Sequence, residues 1–414
     1  MLKKSIFGIP GTKIFVISLL YFAEGIPFGF INNTLSVFFR SNGMSLESIG
    51  LLSLVGLAWS LKVLWAPIID RFGQKYIWIV GAEILIGIAI AATVRIDPGQ
   101  PGILIWFVLG VMAVASATQD IAVDGYTIQI LDDKELGMAN GIRSGSYRVA
   151  LIFSGGGIIS LAEFVGWEGS FIGLSVIMLT LACVVFFTPG CRQDSRSGVC
   201  TPQKVMESWV LPLQDLGRKP NLIALLLFIL LFKVGDAMMG QMISPFWVDR
   251  GFTRIEIGLI SASLSPLASI GGAVIGGWLT SRWGIGRAIW RLGALQALSN
   301  LGYAYAALAP QKILVYSASI FESFTGGLGT AAFMAFLMVL CNRRFSATQY
   351  ALFTTLFGFS GTISRMLSGF AAEQFGYGPF FVLTFFAACP AFILLPWVLP
   401  AIQKEGVRTQ VEAD

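Results

Sequence analysis

Twelve stretches of the chain stay apolar for about the twenty residues that a helix needs to cross a bilayer. They run over 13–33, 46–66, 77–95, 102–126, 141–163, 169–189, 221–243, 256–280, 288–308, 313–340, 347–370 and 377–399. The first holds Glu24 and Pro27 and has no small-residue cleavage site, so it is predicted to remain as a span and not to be removed as a signal peptide. The pattern predicts an all-α polytopic membrane protein. The longest polar connection, Pro189 to Pro220, divides it into two six-helix bundles, 1–189 and 221–400, joined by a linker over 190–220 and followed by a tail over 401–414. Within the linker, Val205–Leu216 is either a short amphipathic helix on the membrane surface or a plain tether.

A repeat supports the division. Ile49-Gly50-Leu51-Leu52-Ser53 opens the second span and Asp70-Arg71-Phe72-Gly73 closes it; Ile257-Gly258-Leu259-Ile260-Ser261 opens the eighth and Ser281-Arg282-Trp283-Gly284 closes it. Duplicated halves predict a pseudo-twofold axis along the membrane normal and a central site between the two halves. The cations agree with an even number of spans. With the N-terminus inside, nineteen of the 28 Lys and Arg, Arg143 among them, fall on the inner side and five on the outer side, while Lys62, Arg148, Lys233 and Arg365 lie within spans. Both termini are therefore expected in the cytoplasm.

Composition adds exclusions. Hydrophobic residues make up 55% of the 414 and charged residues only 12%, against about 25% charged in an average soluble domain. The net charge of +5 would point to nucleic acid in a soluble chain, but its placement on alternate loops points to a membrane, and no nucleic-acid partner is expected. The five cysteines fall in apolar segments or in the inner-side linker, so no disulfide is expected. Histidine is absent, which leaves carboxylates as the candidate proton carriers. Neither a metal-ligand spacing nor a nucleophile–His pair occurs, so no cofactor and no enzyme activity are predicted; the lipid bilayer and a small-molecule substrate are the expected partners of a monomer.

Charges inside lipid are costly, on the order of 3 kcal/mol on insertion scales, and mark pathways or paired sites. Six acids lie in the spans (Glu24, Glu83, Asp120, Asp124, Asp236 and Glu322) with the four bases named above. Asp120 and Asp124 share one helix face, with Arg148 as the cation expected to answer them. With Lys62 and Glu83 they are placed toward the inner end as one network, for which a gate that holds that side closed is the favoured reading. Glu24, near the middle of the first span, is the first choice for proton coupling, because burial penalises the charged form of a carboxylate; the alternative is a pair with Lys62 or Lys233 that only orients helices. Glu322 and Asp120 follow. Lys233 and Asp236 either form an intrahelical pair that eases insertion or present Lys233 to an anionic solute. Arg365 is either a solute anchor or a snorkelling cation. Gln119, Tyr21 and Tyr147 adjoin these charges and complete the candidate binding set together with Gln349.

Asp70-Arg71-Phe72-Gly73-Gln74-Lys75 resembles the loop motif between helices two and three of the major facilitator superfamily, and the stretch from Gly276 to Arg287 resembles its degenerate second copy. The resemblance implies a latch built on Asp70, Arg71 and Arg282. A closer resemblance, to the AmpG-type permeases of the peptide/acetyl-coenzyme A transporter branch, rests on Lys62-Val63-Leu64-Trp65-Ala66-Pro67, on Ser116-Ala117-Thr118-Gln119-Asp120-Ile121 with Asp124, on Tyr147-Arg148 and on Lys233-Val234-Gly235-Asp236. Further blocks are Gly326–Phe333, Leu340-Cys341-Asn342, Phe345–Leu352 and Arg365. This resemblance implies import of anhydro-muropeptides, the sugar-peptide fragments of cell-wall turnover, across a bacterial inner membrane, with the proton gradient as energy source. A siderophore or another peptide- or acyl-type anion is the alternative solute. Outside transport, a membrane sensor or an integral enzyme remains the other class.

Overall fold

The computed structural model describes residues 11–71, 74–97, 102–130, 136–188, 211, 213–219, 221–309, 311–342 and 346–411. The described residues are helical, and the twelve predicted spans fall on helical segments in the predicted order. We number these helices α1 (Gly11–Ser41), α2 (Leu46–Leu61), α3 (Lys75–Thr93), α4 (Ile103–Ile130), α5 (136–165), α6 (167–187), α7 (Leu222–Asp249), α8 (Arg254–Trp283), α9 (Ile285–Leu308), α10 (Lys312–Leu340), α11 (Ser346–Phe375) and α12 (Tyr377–Val411). Gly166, at φ 74°, breaks the backbone between α5 and α6. Among the described residues, eight segments are long and apolar enough to cross a bilayer as they stand. Large apolar side chains such as Phe107, Phe164 and Ile223 point outward from the helices, as lipid requires.

Two helices depart from the straight spans expected. In α1, Pro27 removes a backbone donor, and three residues later the helix widens into a π segment over Phe30–Thr34. The second predicted span, 46–66, is not one continuous helix: it tightens to 3₁₀ geometry at Ser53–Gly56 and again at Lys62–Leu64, then resumes at Ala66–Arg71. Pro67 cannot donate to the preceding turn and disfavours helical backbone just before it.

The chain packs as two compact units, each with a piece exchanged relative to the two sequence halves. One comprises Met1–Met44, Val55–Gly198 and Trp247–Ser263; the other comprises Ser45–Leu54, Val199–Phe246 and Leu264–Asp414. The repeated glycines explain the exchange. Gly50, at the start of α2, lies against Gly369 of α11, where a Cβ would meet the Gly369 Cα at 3.0 Å and the Met366 carbonyl at 2.7 Å. Gly258, its copy in α8, lies against Gly156 and Ser160 of α5. Small residues let helix backbones approach closely in lipid. Polar contacts fix both crossings. Ser53 Oγ donates to the Thr362 carbonyl at 3.2 Å and the Leu46 N–H donates to Glu373 at 3.0 Å. In the other unit Arg254 donates to the Ala162 carbonyl at 2.7 Å. There, too, Arg40 and Asp249 form a two-pronged pair at 2.5 and 2.6 Å.

The linker's described part docks as a short helix over 213–217 on the second unit. Leu216 enters a core with Phe228, Phe336 and Leu340. Asp215 accepts hydrogen bonds from Asn342 at 3.0 Å and Gln349 at 2.8 Å. The end of this stretch is therefore fastened to protein; its earlier part lies outside the described residues.

Candidate functional site

Gly25 determines how closely α1 and α5 approach. A Cβ there would meet the Ala150 Cβ at 2.7 Å and the Tyr147 carbonyl at 2.8 Å. Its absence brings Tyr147 and, one helical turn earlier, Arg143 beside Glu24. On α4, Asp120 and Asp124 present one face to the same point, as their spacing predicts. The result is a cavity of about 480 Å³ lined by Glu24, Asp120 and Arg143 and by an aromatic wall of Tyr21, Phe28, Trp59 and Tyr147. Phe28 and Trp59 meet edge to face at 5.6 Å, and Phe28 and Tyr147 lie 6.4 Å apart.

The charges form one cluster. Carboxylate oxygens of Glu24, Asp120 and Asp124 lie within 4.8 Å of one another. Lys62, at the distorted end of α2, donates to Asp120. Arg143 pairs with Asp124 at 3.1 Å and lies over the Tyr21 ring, 4.8 Å from its centroid. The Tyr21 hydroxyl donates to Asp124 at 2.7 Å. Glu24 is 7% exposed, and its Oε2 is without a hydrogen-bond partner among the described residues. Three acids against two cations leave one negative charge, so a single proton brings the cluster to neutrality. Like charges this close disfavour simultaneous ionisation.

Several sequence expectations change here. Glu24 is not a lone carboxylate, and its alternative partner Lys62 is taken by Asp120. Arg148, expected to answer the two aspartates, is exposed; Arg143, assigned to an inner loop, takes that role from within α5. The two residues are five positions apart on the helix and face different directions. Lys62, Asp124 and Asp120, grouped as an inner gate, stand together with Tyr21, Tyr147 and Glu24. Gln119 is fully buried on the far side of α4, where its Nε2 donates to the equally buried Glu83 at 3.2 Å.

The second unit holds the other candidates. Lys233 and Asp236 pair along α7 at 2.8 Å with little exposure on either side chain, and Glu322 on α10 lies within electrostatic reach of both. Arg365 donates to Thr362 within α11 at 3.3 Å. Gln349 accepts from the Asn342 N–H at 2.8 Å and donates to Asp215, which spends it on holding the linker. Arg282 is exposed and stacks over Trp278 at 5.1 Å. The side chains of Asp70 and Arg71, with Phe72 and Gly73, lie outside the described residues.

The sequence profile of the Major Facilitator Superfamily matches residues 17–365. The chain belongs to that superfamily. Anhydromuropeptide permease of Escherichia coli K12 is 33% identical over 400 residues, which cover 94% of this chain and 80% of that protein. A bacterial homologue of the human lysosomal transporter Spinster, solved inward-facing and unoccupied, superposes with a TM-score of 0.78 at 16% identity, covering 96% of this chain and 99% of that one. A POT family transporter bound to a thioalcohol-conjugated peptide superposes at 0.73 and 13% identity, covering 98% and 99%. The chain thus has the major facilitator fold, twelve helices in two six-helix bundles, and is a secondary transporter of a membrane, not an enzyme.

Proposed function

We propose that this transporter imports anhydro-muropeptide across the bacterial inner membrane, driven by protons. The observation that carries the reading is the composition of the cavity wall: cation, carboxylates and aromatics around one space. A sugar-peptide needs those groups, since aromatic faces receive the apolar face of a pyranose ring, carboxylates accept from its hydroxyls, and a guanidinium answers a carboxylate. The 33% identity to an anhydromuropeptide permease over nearly the whole chain supports the same solute class. Bias of Lys and Arg toward alternate loops supports cytoplasmic termini.

In this mechanism the unpartnered Glu24 oxygen and the adjacent Asp120 share the coupling proton. Protonation removes the cluster's one excess negative charge and lets an anionic solute enter. Solute and proton together then favour the occluded and inward-facing states, since each binds those states better than the outward one. Within the second unit, Lys233 and Asp236 hold each other as a neutral pair, with Glu322 in electrostatic reach of both. The carrier works as a monomer.

Restoration of cell-wall fragment recycling in a bacterium that lacks its own permease tests the solute. Growth-phase recovery of labelled cytoplasmic muropeptide is the expected result; a correctly inserted chain that restores none rules the solute out.

A further inference from the structure

The sequence points to Lys233 for the solute's anionic group; the geometry points elsewhere. We infer that Arg143 is the residue that receives the solute's carboxylate, with Tyr21 and Asp124 as the pair that holds it ready. This rests on the reading of the solute as an anionic sugar-peptide.

Arg143 is the cation among the described residues that line the cavity. Its side chain is 43% exposed, so the guanidinium is reachable, whereas Lys233 is 10% exposed and pairs with Asp236 on its own helix. A guanidinium has five N–H donors in a rigid fork, and the Asp124 carboxylate at 3.1 Å occupies two of them at most. The remaining edge is free to form the two-pronged bond that a carboxylate favours. The Tyr21 ring beneath the guanidinium limits its rotation, and stacking leaves the in-plane donors untouched. Asp124 does not become an orphan when Arg143 swings to a ligand, because the Tyr21 hydroxyl continues to donate to it at 2.7 Å.

The groups facing Arg143 make this exchange conditional. Glu24 comes from α1, Asp120 and Asp124 from α4, and Lys62 answers Asp120 from the end of α2. With all three acids ionised, the cavity carries a net negative charge and repels a carboxylate. One added positive charge makes the cluster neutral and leaves Arg143 free to bind. Solute and coupling proton thereby depend on each other through a single cluster.

The test compares an anhydro-muropeptide with the same molecule whose carboxylates are converted to carboxamides, in equilibrium binding and in the KM of uptake. Wild type is expected to prefer the carboxylate form by at least about tenfold, the scale of a charge-assisted hydrogen bond. Arg143→Gln should remove that preference, weakening binding of the carboxylate form at least about tenfold more than binding of the carboxamide. Arg143→Lys, which retains the charge without the fork, should retain part of it and serves as the informative variant if the glutamine form does not fold. Equal losses for both probes, or no loss for either, overturn the assignment. A wild type that binds both probes equally overturns it and spares the muropeptide reading. A wild type that binds neither removes the reading and the assignment together.

Discussion

Arg143 and Arg148 are five residues apart on α5, which on a helix of 3.6 residues per turn separates their directions by about 140°. One enters the charged cavity and the other is exposed. The sequence favours the wrong one for a physical reason: Arg148 lies in an apolar run, while Arg143 sits among Asn140, Gly141, Ser144 and Gly145, which resembles a loop. Only the close approach of α5 to α1 at Gly25 shows that this polar stretch faces the cavity. Arg148→Gln is accordingly expected to leave uptake within about twofold of wild type, and a larger loss in transport assays would return Arg148 to the site. The Lys62–Asp120 pair was partly legible, since both residues stood out as charges in lipid, but the pairing was not. Removing either partner leaves a half-buried charge, so Lys62→Met and Asp120→Asn together should cost less stability in detergent than the two single changes added. For a pair this exposed, a coupling of about 1 kcal/mol is expected after solvent screening; strict additivity in thermal unfolding would show that the pair is not formed.

At the level of elements, helix count and order were readable because lipid demands long apolar segments. Breaks within them were not, since Pro27 and Pro67 signal a distortion without specifying π or 3₁₀ geometry. The repeat was readable at the two ends of the second and eighth spans, and its meaning became clear in the structure: Gly50 and Gly258 are the two crossing points at which segments are exchanged between units. The turns before them match as well. Gly43 and Gly251 both take positive φ, 89° and 72°, and Ser45 and Thr253 both cap the helix that follows. Glycine removal should reveal which approaches matter. Gly25→Val places a branched side chain against the Ala150 Cβ and the Tyr147 carbonyl, so it should cost about 1–3 kcal/mol and disrupt uptake by displacing Tyr147 and Arg143. Gly81→Ala, where a Cβ meets open space, is the control and should be silent in both measurements.

For the whole molecule, the groups proposed for coupling and for recognition lie in one unit. The polar positions of the second unit divide differently: Gln349 and Asp215 fasten the linker, Arg365 bonds within its own helix, and Lys233 and Asp236 neutralise each other. The Lys233–Asp236 pair was one of two readings the sequence offered; the rest of this division was not visible there, because a buried polar residue that fastens a helix resembles one that binds a solute. The central claim is that protonation at Glu24 drives accumulation. It is tested most directly by uptake of labelled anhydro-muropeptide into proteoliposomes with an imposed inward proton gradient, comparing wild type with Glu24→Gln. The account predicts concentrative uptake by wild type that a protonophore abolishes. It predicts that Glu24→Gln still exchanges solute down its own gradient but no longer accumulates it when the proton gradient is applied. Gradient-driven accumulation by Glu24→Gln equal to that of wild type would contradict it.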